Sequence, residues 1–245
     1  MTFKLELSDN AIFKTVFDSI ASIIDEVTII FDSEGMRLNA LDRSHITFVT
    51  LELEPEVFDE YICDEPEKVA VDCTKFNQIL KKCKTNDIIQ LTIDEGNFII
   101  VFEGDATRRF KIRVIDTEYE AQVPPNINHN VNIKVPSNMM QDALNDMLIF
   151  SDKLKLLIDE NYLKIISDGE FGDVDIKYLH GENILEVAQS IYSIEKLKDI
   201  FKASKFSKEC NVGLGNDMPV MITFELPTRD GVLRYLLAPR LEERG

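Results

Sequence analysis

The chain has 245 residues, 44% hydrophobic and 29% charged, with a formal net charge of −17. That length can bury one large core or two ordinary ones, and no apolar run approaches the ~20 residues of a membrane span. The acidic balance excludes nucleic-acid binding by overall charge, yet binding depends on where the 27 basic residues lie.

The first residues alternate apolar and polar like a strand, so no signal peptide is expected. Ser8, Asp9 and Asn10 offer caps for a helix to about Ile24. Its apolar stripe is Ile12, Phe13, Val16, Phe17, Ile20, Ile23 and Ile24. Val27 to Phe31 is β-branched and aromatic, Asp32 to Gly35 is turn chemistry, and Met36 to Ala40 alternates with period two. Leu41 to His45 is a loop before a strand from Ile46 to Leu53. Strands are expected near 58–62 and up to Val71. Thr74 is expected to cap a second helix, Lys75 to about Lys84, burying Phe76, Ile79, Leu80 and Cys83. Strands at 88–93, 98–102 and 108–114 follow.

Tyr119 to His129 breaks the pattern with Pro124-Pro125 and reads as an extended connector. The order then returns: a strand at Val131 to Val135, a helix from Ser137 to about Leu148, and a hairpin. A shift of 127 positions carries Val27 to Leu154, Asp32 to Asp159, Met36 to Leu163 and Leu38 to Ile165. Val174 to Leu179 stands for the next strand. Ser193 is expected to cap a helix burying Ile194, Leu197, Ile200 and Phe201, and strands at 210–214, 218–226 and 232–238 close the chain. A repeat this long is a duplicated domain. The expected fold is α+β, with two helices over β-sheets and about nine strands in each half. The domains are 1–117 and 130–245, with a connector at 118–129.

Chemistry is sparse. His45, His129 and His180 pair with no cysteine or histidine at metal-ligand spacing. The four cysteines form no CxxC pair, so free buried thiols in a reducing cytosol are expected. No phosphate-binding glycine loop and no HExxH occurs. No enzyme, cofactor or metal is expected.

Leu41-Asp42-Arg43-Ser44-His45-Ile46 resembles the Met-Asp-x-Ser-His-Val loop of the sliding clamps of archaea and eukaryotes, the proliferating cell nuclear antigen family. Arg234-Tyr235-Leu236-Leu237-Ala238-Pro239-Arg240-Leu241-Glu242 resembles that family's closing segment. Phe76 to Lys81, Ile133 to Ser137 and Met218 to Val220 fall in order between them. The resemblance implies a homotrimeric ring around double-stranded DNA, helices lining the hole, and no membrane association. It also implies tethering of DNA polymerase, flap nuclease, ligase and repair proteins through short peptides, and opening by a clamp-loader ATPase. A cytoplasmic, nucleoid-associated protein of an archaeon is expected.

In that arrangement Lys14, Lys81, Lys82, Lys84, Lys198 and Lys202 become candidates to face DNA. The helix from Ser137 departs from the family, since Gln141, Asp142, Asn145 and Asp146 hold its polar face. The subunit interface is expected from two edges: Arg109, Phe110, Lys111, Ile112 and Arg113 on one, Asp173, Val174, Asp175, Ile176 and Tyr178 on the other. A partner-peptide groove is expected from Leu41, His45, Ile46, Ala121, Val123, Pro219, Leu236, Ala238, Pro239 and Arg240, with the Ala238 and Arg240 backbones receiving a glutamine. The alternatives are a scaffold of clamp fold that does not encircle DNA, and an enzyme with a duplicated core.

Overall fold

The computed structural model describes residues 3–115, 122–170, 172–227 and 230–240. Two compact units divide the chain. One holds Met1–Arg43, Val49–Pro124 and Glu225–Leu233, the other Ser44–Phe48, Pro125–Phe224 and Arg234–Gly245.

Elements of the first half are β1 (Phe3–Leu7), α1 (Asn10–Ile20), β2 (Glu26–Asp32), β3 (Gly35–Leu41), β4 (Thr47–Leu53), β5 (Glu60–Cys63), β6 (Glu67–Asp72), α2 (Cys73–Leu80), β7 (Ile88–Asp94), β8 (Asn97–Glu103) and β9 (Arg108–Arg113). Those of the second are β10 (Val131–Pro136), α3 (Ser137–Met147), β11 (Lys153–Ile158), β12 (Tyr162–Gly169), β13 (Gly172–Leu179), β14 (Ala188–Ser193), α4 (Ile194–Ile200), β15 (Glu209–Leu214), β16 (Val220–Glu225) and β17 (Gly231–Leu237). In the first unit strands run in the orders β5-β1-β7-β8-β9 and β4-β3-β2-β6. In the second they run β13-β12-β11-β14 and β10-β15-β16-β17.

The repeat holds at the level of register. Ile29 pairs with Leu38 and Phe31 with Met36, and the same shift gives Leu156 with Ile165 and Ile158 with Leu163. Alternation sets this, since a slip of one residue would turn every apolar side chain outward. Gly35 closes the first hairpin at φ +120°, and a Cβ there would fall 2.0 Å from the Leu53 carbonyl oxygen. The duplication is incomplete: 180–187, where a counterpart of β5 would fall, forms no strand.

Each unit has its own core. In the first, aromatic rings run in a chain from Phe3 to Phe31 (4.2 Å), Phe98 (6.3 Å), Phe76 (5.7 Å) and Phe17 (4.9 Å). The last contact is edge-on and packs α2 against α1. In the second, Phe224 meets Phe201, Phe206 and Tyr235. Edge contacts of this kind add about 0.5–1.5 kcal/mol beyond area burial.

Helix ends differ from expectation. α1 stops at Ile20, and Ala21 to Ile23 turn tightly so that Ile24 still reaches the core. Ile12 and Ile23 are only half-buried. α2 is capped by Asp72, not Thr74: the Asp72 carboxylate accepts from the Lys75 N–H at 2.8 Å. That bond heads the causes that lower the Asp72 pKa. α2 ends at Leu80. Ser193 precedes α4 without a side-chain cap, and a 3-10 turn, Phe201–Lys205, carries α4 on. Cys73, Cys83 and Cys210 are buried free thiols, and Cys63 is half-buried. Burial pushes Cys73 and Cys210 up to about 12, which leaves them thiols and not nucleophiles.

Candidate functional site

The lysines expected to face DNA lie at the helix pairs, and their surroundings differ. In the first unit Lys81, Lys82 and Lys84 follow α2 on a segment stapled from three sides. The Asn10 side chain, wholly buried, donates to the carbonyls of Lys84, Thr85 and Asp87 at 3.0, 3.2 and 2.6 Å. The Asp87 carboxylate accepts from the Lys84 N–H at 2.7 Å. Arg108 donates to the Lys82 carbonyl at 2.8 Å, pairs with Asp87 and lies 5.3 Å over the Phe102 ring. Gly104 leaves room for this carboxylate, since a Cβ there would fall 2.0 Å from it.

Asn10, Asp87 and Arg108 were not legible as positioning residues in the sequence. Asn10 reads as a helix cap, and its partners lie more than 70 residues away.

Lys14 is half-buried and donates to the Cys83 carbonyl at 3.1 Å, just past α2. Lys81 pairs with Asp18 at 2.6 Å, and Asp18 also accepts from the Asn77 amide at 3.0 Å, bridging α1 to α2. Lys84 pairs with Asp105 at 3.1 Å. Lys82 is exposed, and no side-chain partner is recorded for it among the described residues. These differences fix an expected result. Lys82→Ala should move stability by less than about 0.5 kcal/mol. Lys14→Ala should cost about 0.5–1.5 kcal/mol, because it removes a hydrogen bond to the Cys83 carbonyl in the turn after α2. Urea midpoints of the two variants check this, and equal midpoints would place Lys14 among the freely solvated lysines.

In the second unit Lys198 and Lys202 are half-buried, and Lys202 pairs with Asp199 at 2.7 Å. The 3-10 turn adds an exposed Lys205, three residues on from Lys202 and so on the same side of the turn. Facing α4, α3 exposes Asp142, Asn145 and Asp146. Its departure from the family pattern is therefore on the surface. Just beyond α3, Leu148, where the sequence places the helix end, is 38% exposed and Ile149 71%, an apolar tip.

Both expected joining strands are edges. β9 pairs only with β8, and β13 only with β12, among the described pairings. Along β9, Arg109, Lys111 and Arg113 are exposed while Phe110 and Ile112 are half-buried. Along β13, Asp173 and Asp175 are exposed while Val174, Ile176 and Tyr178 are half-buried. Arg109 meets Asp94 at 3.0 Å and Lys111 meets Glu95 at 3.8 Å, exposed pairs worth about 0–1 kcal/mol that can be exchanged.

The groove residues divide between the units. Leu41 ends β3 and is half-buried, Val123 is 83% exposed, and both lie in the first unit. Ala121 lies outside the described residues, as do Tyr119 of the connector and the tail from Leu241. In the second unit the Ala238 N–H donates to the Ile46 carbonyl at 2.8 Å, which brings the loop of His45 (φ 60°) beside the chain end. The Arg240 N–H donates to the Ile191 carbonyl at 2.7 Å, and its guanidinium pairs with Asp152. Both amide donors are thus committed, and only the carbonyls of Ala238 and Arg240 are left to meet a ligand. His129 Nε2 lies 2.7 Å from the Pro219 carbonyl, and Tyr192 donates to the Met218 carbonyl at 2.6 Å. Leu236 is buried, at 7% exposure.

A concavity of about 850 Å³ in the second unit is lined by charged groups such as Asp152, Lys153 and Asp168 and equally by apolar ones such as Phe150, Leu154 and Ile191, with no histidine. Among the described residues no three His, Cys, Asp or Glu could hold a metal ion, and no helix is long and apolar enough to cross a membrane.

Two domain models match the chain end to end: the N-terminal domain of proliferating cell nuclear antigen over residues 2–122, and its C-terminal domain over 123–240. The chain therefore belongs to the proliferating cell nuclear antigen family. It is 56% identical over 240 residues to a protein of Methanobrevibacter smithii and 51% identical over 240 residues to one of Methanothermobacter thermautotrophicus, covering 98% of each pair. A Pyrococcus furiosus relative is 30% identical over 250 residues, covering 99% of this chain and 100% of its own. Each is named DNA polymerase sliding clamp.

Proposed function

We infer that the chain acts as a DNA polymerase sliding clamp, a processivity factor and not an enzyme. The finer reading is that three copies close into a ring around duplex DNA, an assembly of about 84 kDa, three times 28.1 kDa. One observation carries it: two edges with no second partner among the described residues, one presenting Arg109, Lys111 and Arg113, the other Asp173 and Asp175 followed by Lys177, each with a half-buried apolar row. Antiparallel pairing of β9 with β13 of another copy would bury both rows, and each pair of opposite charges would add about 0.2–1 kcal/mol.

DNA would be held by topology. The lysines would make loose phosphate contacts that permit sliding, stronger from the first unit than from the acid-faced α3. The partner-peptide groove, the clamp-loader ATPase, flap nuclease, ligase and repair proteins, a cytoplasmic nucleoid-associated location, and the connector at 118–129 belong to the same proposal.

The test is retention on DNA. A clamp-loader ATPase places the protein on a nicked circle, and the circle is then cut once. Retention on the circle and loss on cutting are expected, at moderate and high salt alike. Equal retention on circle and line would overturn encirclement and favour the scaffold.

A further inference from the structure

We infer that His180 makes closure of the ring sensitive to protons, an inference that rests on β13 being a joining edge. His180 directly follows β13 and is 6% exposed. Its ring touches two backbone groups of opposite kind. Nε2 lies 2.9 Å from the Asp159 carbonyl, which only accepts, so Nε2 carries the hydrogen. Nδ1 lies 3.3 Å from the Glu182 N–H, which only donates, so Nδ1 is the bare nitrogen. The arrangement is complete for one neutral tautomer. A second proton must enter at Nδ1, where it meets a donor.

The same residue anchors the strand end. The His180 N–H donates to the Asn161 carbonyl at 3.2 Å, tying the end of β13 to the turn between β11 and β12. That turn is rigid for its own reasons. The Asp159 carboxylate accepts from the Asn161 and Tyr162 N–H groups at 3.0 and 2.8 Å and from Lys164 at 2.6 Å. With the Lys164 bond foremost, this set holds the Asp159 carboxyl down at about 2. Its oxygens are therefore already engaged by three donors.

The other ionisable groups on the packed elements are Glu160 in the turn, Tyr162 and Lys164 on β12, Asp175, Lys177 and Tyr178 on β13, and Glu182 beyond. Lys177 pairs with Asp175 at 3.3 Å. None of these is recorded as an acceptor for a hydrogen on Nδ1. A charged, largely buried imidazole facing an N–H should release the 180–182 bend. Tyr178 and Leu179 then lose their tether, and the edge that joins the next copy frays.

Dissociation of the trimer on dilution, followed by mass photometry at about pH 7.5 and about pH 5.5, tests this. Imidazoles charge across that interval while carboxylates as a class stay ionised. The comparison variant is His180→Gln, whose amide keeps a donor for the Asp159 carbonyl and does not titrate. The wild-type dissociation constant should rise at least about tenfold on acidification, and that of the variant less than about threefold. Should the variant fail to fold, hydrogen exchange on the wild type gives the same answer: protection of the Glu182 amide should fall at the lower pH while that of Ile165 holds. An unchanged wild-type constant, or an equal rise in the variant, overturns the inference and leaves the ring standing. A wild-type monomer at both pH values overturns the ring itself.

Discussion

Arg109→Glu with Lys111→Glu should turn a trimer of about 84 kDa into monomers of 28.1 kDa at micromolar concentration. The two side chains are exposed on an edge strand with no further strand recorded beyond it. At the proposed joint, reversal would replace two attractions to Asp173 and Asp175 with two repulsions. With about 0.2–1 kcal/mol per cross-strand pair, the swing is about 1–4 kcal/mol per joint, felt at all three. Folding should hold, because the local partners Asp94 and Glu95 make only exposed pairs with these cations. Light scattering reads the mass, and thermal unfolding checks the fold. The compensating change, Asp173→Lys with Asp175→Lys placed in the same chain as the reversal, should restore the homotrimer, because every joint then again meets opposite charges. A reversed variant that stays trimeric would show that β9 is not the joining edge.

The second large effect is expected at the peptide groove. A peptide with a glutamine, an aliphatic residue and two aromatics should bind with micromolar affinity, about −8 kcal/mol. Leu41→Glu or Pro239→Glu should weaken it at least about 100-fold while the trimer persists, since a carboxylate would then have to be buried against aromatic rings. In the proposed groove the backbone at 238–240 sets what the glutamine could do. With the Ala238 and Arg240 amides already donating to Ile46 and Ile191, only their carbonyls can serve it. The glutamine must therefore donate through its NH2 group. Glutamate at that position of the peptide offers no donor and should bind about tenfold or more weaker. Calorimetry on the trimer measures all four combinations. Full affinity of the glutamate peptide would mean that the backbone at 238–240 does not receive that residue.

The same protein separates what local chemistry reveals from what it conceals. The hairpins of β2–β3 and β11–β12 were legible because alternation and turn residues act within a few positions. The shift of 127 even carried the register across the repeat. The buried faces of α2 and α4 were legible for the same reason: Phe76, Leu80, Leu197 and Phe201 recur at helical spacing, and all are fully buried. The two edge strands showed their alternating charge before any fold was known, and the end motifs carried the family.

Other features came only from the tertiary structure. The cap of α2 fell to Asp72 because its φ and ψ are extended and its carboxylate reaches Lys75, where Thr74 is already inside the helix. α1 stops four residues early, at Ile20, and the turn that follows still brings Ile24 into the core. Lys14 and Lys82 look alike in sequence, yet one binds a backbone carbonyl 69 positions away, in the turn after α2, and the other has no such recorded bond. Asn10 and Arg108 staple the lysine segment through pairs separated by 21 to 77 positions. Periodicity and turn chemistry report what a residue does to its neighbours along the chain. A hydrogen bond between remote residues depends on two backbones arriving at one place, and only the folded chain specifies that.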